Sequence, residues 1–341
     1  MSDSSILRLT TTKGEYPMPC NTRLAATGLL MLFMATPAFG ADQTPPELGL
    51  NADLHGKRVF PADNAWNQDI SRDAVDPRST QIIARIGAER PLHPDFGTVW
   101  QGAPSGIPYY IVSGNQPKVQ IKFTAYANES DPGPYPVPKD ANIEGGPKSD
   151  GDRHVLVIDR DNWILYELYR AFPVDGGLAW KCDSAAIWDL KKNATRPAGW
   201  TSADAAGLPI FPGLVRYDEV ALRKEITHAI RFTVQKTRRG YVVPATHWAA
   251  RSDDETLPPM GVRVRLRESY DISGYSPNAR VILTALKKYG MILADNGSDW
   301  FISGAPDPRW NDDELNTLKK VKGKDLEVVK MEHVVTPKTG R

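Results

Sequence analysis

The chain has 341 residues, 41% of them hydrophobic and 24% charged, long and apolar enough to bury a large core. Lysine and arginine (42) almost balance aspartate and glutamate (41), so there is no global field to draw in nucleic acid or an acidic surface. The basic run Lys236-Thr237-Arg238-Arg239 is short and ends at Gly240, the composition of a solvated turn.

Residues 1–40 read as an export signal. Arg23 supplies a positive n-region, Leu24 to Ala35 an apolar h-region, and Ala38-Phe39-Gly40 the small residues at a cleavage site. The apolar run is too short for a bilayer core of about 30 Å. Residues Met1 to Pro17 are polar and unpatterned, and fit either an overlong n-region or a start at Met18. Cleavage would remove Cys20 and leave Cys182 as the sole cysteine, so no intramolecular disulfide is expected. The expected protein is secreted or periplasmic, with no membrane anchor after signal removal.

A single β-rich domain is expected over 41–341. Arg58-Val59-Phe60-Pro61 suggests a short strand and Asp63 to Asn67 a turn. Ile82, Ile83 and Ile86 give one face of a helix beginning near Pro77. From Pro108 the pattern turns to strands: Tyr109–Val112, Val119–Phe123, His154–Ile158 and Trp163–Tyr169, the last two joined by the turn-like Asp159-Arg160-Asp161-Asn162. Further strands are expected at Ala186–Trp188, Ala229–Val234, Tyr241–Val243 and Val262–Leu266, where valines alternate with outward arginines. Met291–Ala294 and Trp300–Ile302 read as buried strand pieces. Ser276-Pro277 opens a helix that Gly290 closes, and Asn311 with Glu314 has capping-box spacing for another. Helices are too few for repeated βαβ units, so a mainly antiparallel sandwich or jelly-roll with peripheral helices is expected.

Candidate chemistry rests on polar residues set in apolar strands. His154, His228 and His247 could act as acid or base, or ligate a metal, although no pair has HxH or HExxH spacing. The competing reading is a hydrogen-bonded core histidine, strongest for His228 beside Ile230, Phe232 and Val234. Glu167 shares a strand face with Leu165 and Tyr169, so it lies either on a solvated sheet face or in a groove that raises its pKa, and the second case would suit a general acid. Arg231 is the candidate charge stabiliser. Glu129 and Asp131 lie on a Pro-rich loop, and Trp200, beside Gly199, offers a platform for a sugar ring. No Gly-x-Ser-x-Gly elbow and no phosphate-binding Gly-rich loop occurs, and Cys182 reads as an inert thiol.

The segments Gly151 to Asp161, Arg196 to Pro209 running on to Glu219, and Lys288 to Gly297 resemble a family of secreted bacterial proteins without a firmly assigned activity. The resemblance spans about Phe60 to Val329. It implies export and a single domain, and implies no catalytic residue. The leading expectation is a polysaccharide hydrolase or lyase built on His154, His228, His247, Glu167 and Arg231, with Trp200, Glu129 and Asp131 binding substrate. The alternatives are a non-catalytic module for carbohydrate or cell-envelope partners, and a histidine-ligated metal enzyme. The sequence assigns no cofactor.

Overall fold

The computed structural model describes residues 44–339, so the export signal read from the sequence lies outside the described residues. Strand exceeds helix, 25% against 17% of the described residues, which places the protein among mainly β folds.

One sheet has five strands in the order Gly49–Leu50, Tyr109–Val112, Val155–Asp159, Ile164–Tyr169 and Ser184–Asp189. Val155–Asp159 is buried at every position. Leu156, Ile158 and Leu165 enter the main hydrophobic core, and Val155, Val157, Tyr166 and Leu168 enter a second, smaller core with Tyr135 and Trp180. A sheet covered on both faces explains the near-continuous apolar runs in these strands.

The second large sheet has six strands in the order Leu326–Val328, Arg263–Leu266, Met291–Asn296, Ile230–Val234, Phe301–Ser303 and His93–Asp95. Its pairing is mixed. Ile230–Val234 runs parallel to Met291–Asn296 and antiparallel to Phe301–Ser303, which is in turn parallel to His93–Asp95. A parallel pair also joins Tyr109–Val112 to Val155–Asp159. The antiparallel sandwich or jelly-roll expected from the scarcity of helices is therefore replaced by mixed sheets. Long connections such as 113–154 and 235–290 return the chain in the same direction, and a hairpin pattern does not reveal them.

Local signals explain the helices. Ser276 caps Pro277–Lys288 by accepting from the Ala279 N–H, and Gly290 adopts φ +65° just beyond the helix. Asn311 caps a helix only five residues long, Asp312–Asn316. Glu314 does not close a capping box there. It accepts instead from Asn278 N and Nδ2 at 3.2 and 3.0 Å, and from the Ser276 hydroxyl, tying two helix N-termini together.

Three local expectations change. Residues 58–61 form no strand, because Phe60 turns to φ +63° while Val59 and Phe60 both bury their side chains. Asp63 to Asn67 holds a short 3-10 helix, Ala65–Asn67. The arginines of Arg263–Leu266 are covered rather than solvated: Arg263 donates to Ala65 O and Arg265 to Ile70 O, beneath residues 65–70.

The described residues, 44–339, belong to one compact unit. Among the described residues no helix is long and apolar enough to cross a membrane.

Candidate active site

The two large sheets meet at a cluster of charged side chains. Arg231, on a central strand of the six-stranded sheet, is buried, and each of its three guanidinium nitrogens is hydrogen-bonded. Its Nε and Nη2 donate to Asp204 Oδ2 and Oδ1 at 2.7 and 2.8 Å, and Nη1 donates to Ser303 Oγ at 2.7 Å. Asp295 lies 3.6 Å from Nη2. A bulge in the pairing after Phe232 sets Asp295 opposite Thr233, and such a bulge re-aims the side chains beside it.

Asp204 comes from the irregular 196–215 segment, where no helix forms at Thr201 or Ser202. Instead the Ser202 hydroxyl bonds to Asp204 O and Leu208 O at 3.0 and 2.6 Å, and accepts from Asp204 N at 2.9 Å. This knot fixes the carboxylate beneath Arg231.

His154 approaches from the five-stranded sheet, one residue before Val155–Asp159. Its Nδ1 donates to Glu144 Oε2 at 2.6 Å and its Nε2 to the Ala203 carbonyl at 3.1 Å. Burial disfavours its charge, but the Glu144 carboxylate outweighs that and raises its pKa to about 9. Burial likewise works against an ionised Glu144, yet the His154 charge holds its pKa below the usual value. The ring is therefore an imidazolium at neutral pH, with no free lone pair.

Two carboxylates in the cluster are pushed the other way. Burial, with repulsion from Asp204, raises Asp295 to about 7 despite Arg231. Burial, with repulsion from Glu144 and Asp152, also raises Asp95, which pairs with Ser303 in the sheet register. Asp152 is solvent-exposed next to these groups. Tyr169 lies 5.6 Å from His154 between ring centroids, and burial together with Asp152 and Asp295 raises its pKa.

The cluster faces two openings. A cleft of about 130 Å³ is lined by Asp204, Asp295, Tyr169, Tyr126 and His247. A groove of about 580 Å³ is lined by Asp95, His93, Trp100 and Phe301. A cavity of similar size, about 590 Å³, lies elsewhere among Leu50, Ile143, Trp180 and several prolines, and none of the cluster residues lines it.

The sequence-derived candidates separate on this map. His154 and Arg231 come together. His247 lines the cleft, with Nδ1 bonded to Ala205 O at 2.7 Å. Glu167 is fully buried behind the cluster, where its oxygens accept from Ile210 N and Phe211 N, both at 2.9 Å, and from Trp188 Nε1 at 3.1 Å. Burial overrides these donors and raises its pKa to about 7.

His228 belongs to another network, with Nε2 3.1 Å from Glu219 Oε2 and Nδ1 donating to Ala229 O at 2.8 Å; Arg216 bonds the same carboxylate. Glu129 and Asp131 are loop anchors. Glu129 accepts from Thr201 N at 3.0 Å, and Asp131 accepts from Ile187 N at 2.8 Å and from Arg196. Trp200 is half-buried under the Arg196 guanidinium, 5.3 Å from its ring centroid, and its indole is not an open platform. Burial, helped by Asp183, pushes the Cys182 thiol up to about 12.

Sequence reasoning missed Asp95, Glu144, Asp152, Asp204 and Asp295. Only Asp295 carries a signal, as a carboxylate directly after the apolar run Met291–Ala294. Among the described residues, no group of three or more His, Cys, Asp and Glu side chains is arranged to hold a metal ion, so the three-histidine metal site has no counterpart there. No family model, no curated protein and no solved structure matches this chain.

Proposed function

We propose that the protein is an exported hydrolase of neutral polysaccharides, with Asp295 as proton donor and Asp152 as the opposing carboxylate. The observation that supports this reading is the split among neighbouring carboxylates. Asp204 is locked to Arg231 as an ion pair, while Asp295, beside it, is pushed up to about 7 and carries a proton near neutrality. Divergent environments for adjacent carboxylates are the arrangement that glycoside hydrolysis uses. Asp295 gives its proton to the glycosidic oxygen as the C1–O bond breaks. Water adds at C1, and its proton passes to Asp152.

In this reading His154 and Arg231 are positioning residues, because both ring nitrogens of His154 and all three guanidinium nitrogens of Arg231 are already bonded to protein acceptors. The base expected at His154 moves to Asp152. With Asp295 protonated, and Glu144 and Asp204 offset by His154 and Arg231, the cluster keeps no surplus positive charge to bind a polyuronate, so a neutral chain fits better than the acidic substrate of a lyase. Export follows from the residue pattern of 1–40 and places the substrate outside the cytoplasm.

The test is release of reducing ends from β-glucan, xylan, mannan and chitin by the mature protein. Cleavage of at least one, lost in Asp295→Asn, supports the reading. No cleavage, or cleavage unaffected in Asp295→Asn, overturns it.

A further inference from the structure

Trp100 is the largest side chain left open on the described surface, with 70% of its area exposed, and its neighbour Val99 is 61% exposed. Single exposed apolar residues are common, but an adjacent pair at the end of a built hairpin is a more specific feature. Val99–Trp100 pairs antiparallel with Ala103–Pro104 across Gln101 and Gly102, both at positive φ (51° and 82°), as a tight two-residue turn requires. The hairpin base is pinned: Thr98 N donates to Asp312 Oδ1 at 3.0 Å, and the Thr98 hydroxyl bonds the same carboxylate.

The groove beside this hairpin has a second aromatic surface. His93 and Phe301, partners in the sheet register, stack with centroids 4.0 Å apart. Burial, aided by Lys319, lowers His93 to about 4, so the pair is uncharged in ordinary conditions. Polar side chains on the same groove include Asp95, Ser105, Asp312, Asn316 and Lys319. Asp95 belongs to the charged cluster as well, so the groove that carries the indole shares a residue with the cluster.

We infer that this groove is a glycan track in which Trp100 and the His93–Phe301 pair hold sugar units beyond the bond acted on at the cluster. Pyranose rings present C–H faces to aromatic rings and hydroxyls to flanking carboxylate and amide groups, and the groove supplies both. The track makes the protein selective for long chains over disaccharides. This inference rests on the carbohydrate reading above, although it does not require cleavage.

The experiment is calorimetric titration of the Asp295→Asn protein, alone and combined with Trp100→Ala, against cellohexaose, xylohexaose, mannohexaose and N-acetylchitohexaose, and against the matching disaccharides. Trp100 is exposed, so the added substitution should leave the far-UV circular dichroism unchanged. At least one hexasaccharide should bind at least about tenfold more tightly than its disaccharide, and Trp100→Ala should remove most of that difference. Binding unaltered by Trp100→Ala, or no binding by any of the four, overturns the track. Trp100-dependent binding combined with no cleavage by the native protein would uphold the track and overturn the hydrolase.

Discussion

Asp295 and His154 show how neighbouring side chains in one cluster take opposite roles. Burial penalises charge on both, but His154 has a carboxylate at 2.6 Å to hold its proton, whereas Asp295 faces Asp204 as well as Arg231. A proton donor titrating at about 7 should give activity that falls as pH rises through that value. Asp295→Asn should lower kcat by at least about 100-fold, as read from initial rates. Glu167 was a reasonable acid candidate from its strand position, and burial does raise its pKa. Its oxygens, however, face backbone and indole N–H groups rather than a cleft. Glu167→Ala would strand three buried donors and should cost about 3 kcal/mol or more in chemical denaturation. His228→Ala should lower stability by about 2 kcal/mol while leaving kcat unchanged, because His228 bonds Glu219 and not the cluster.

At the scale of elements, the 196–215 segment decides the site although it has almost no regular structure. Arg196 secures its start by donating to Thr201 O at 3.1 Å, to Glu129 O at 2.6 Å and to Asp131. Glu167 secures its end. Arg196→Ala should destabilise the protein by about 2–4 kcal/mol and expose residues 193–209 to limited proteolysis, measured by the rate at which that segment is cut. Strands with β-branched and aromatic runs were legible in the sequence, as were the helix caps at Ser276 and Asn311. The short strands Phe172–Val174, Ala179–Cys182 and Leu326–Val328 were not, since three or four residues carry too little periodicity. The cluster carboxylates were hidden for a related reason. Asp95, Asp152 and Asp204 stand at strand ends or in loops, where an aspartate ordinarily faces solvent, and only tertiary packing gathers them around His154, Asp295 and Arg231.

For the whole molecule, the shifted groups make stability depend on pH in one main direction. Asp295 and Glu167 titrate at about 7 in the fold against ordinary values of 3.8 and 4.5, and Asp218 at about 6 against 3.8. The folded state therefore holds more protons than the unfolded chain between these values, and stability falls as pH rises across them. The His154 contribution is complete below its ordinary 6.5 and is lost as pH rises through about 9. Glu144 and Glu219, both lowered, act in the opposite sense and weaken the fold only as pH falls below 4.5. The melting temperature should peak at about pH 5 and drop by at least about 5 °C by pH 9; a flat or rising profile in calorimetry would contradict the assigned protonation states. The most direct measurement of the central claim remains reducing-end release from neutral polysaccharides by the native protein, Asp295→Asn and Asp152→Asn, side by side at pH 6. The expected result is cleavage of at least one polymer by the native protein and near-complete loss in both variants. Native-level cleavage in either variant, or none by the native protein, would contradict it.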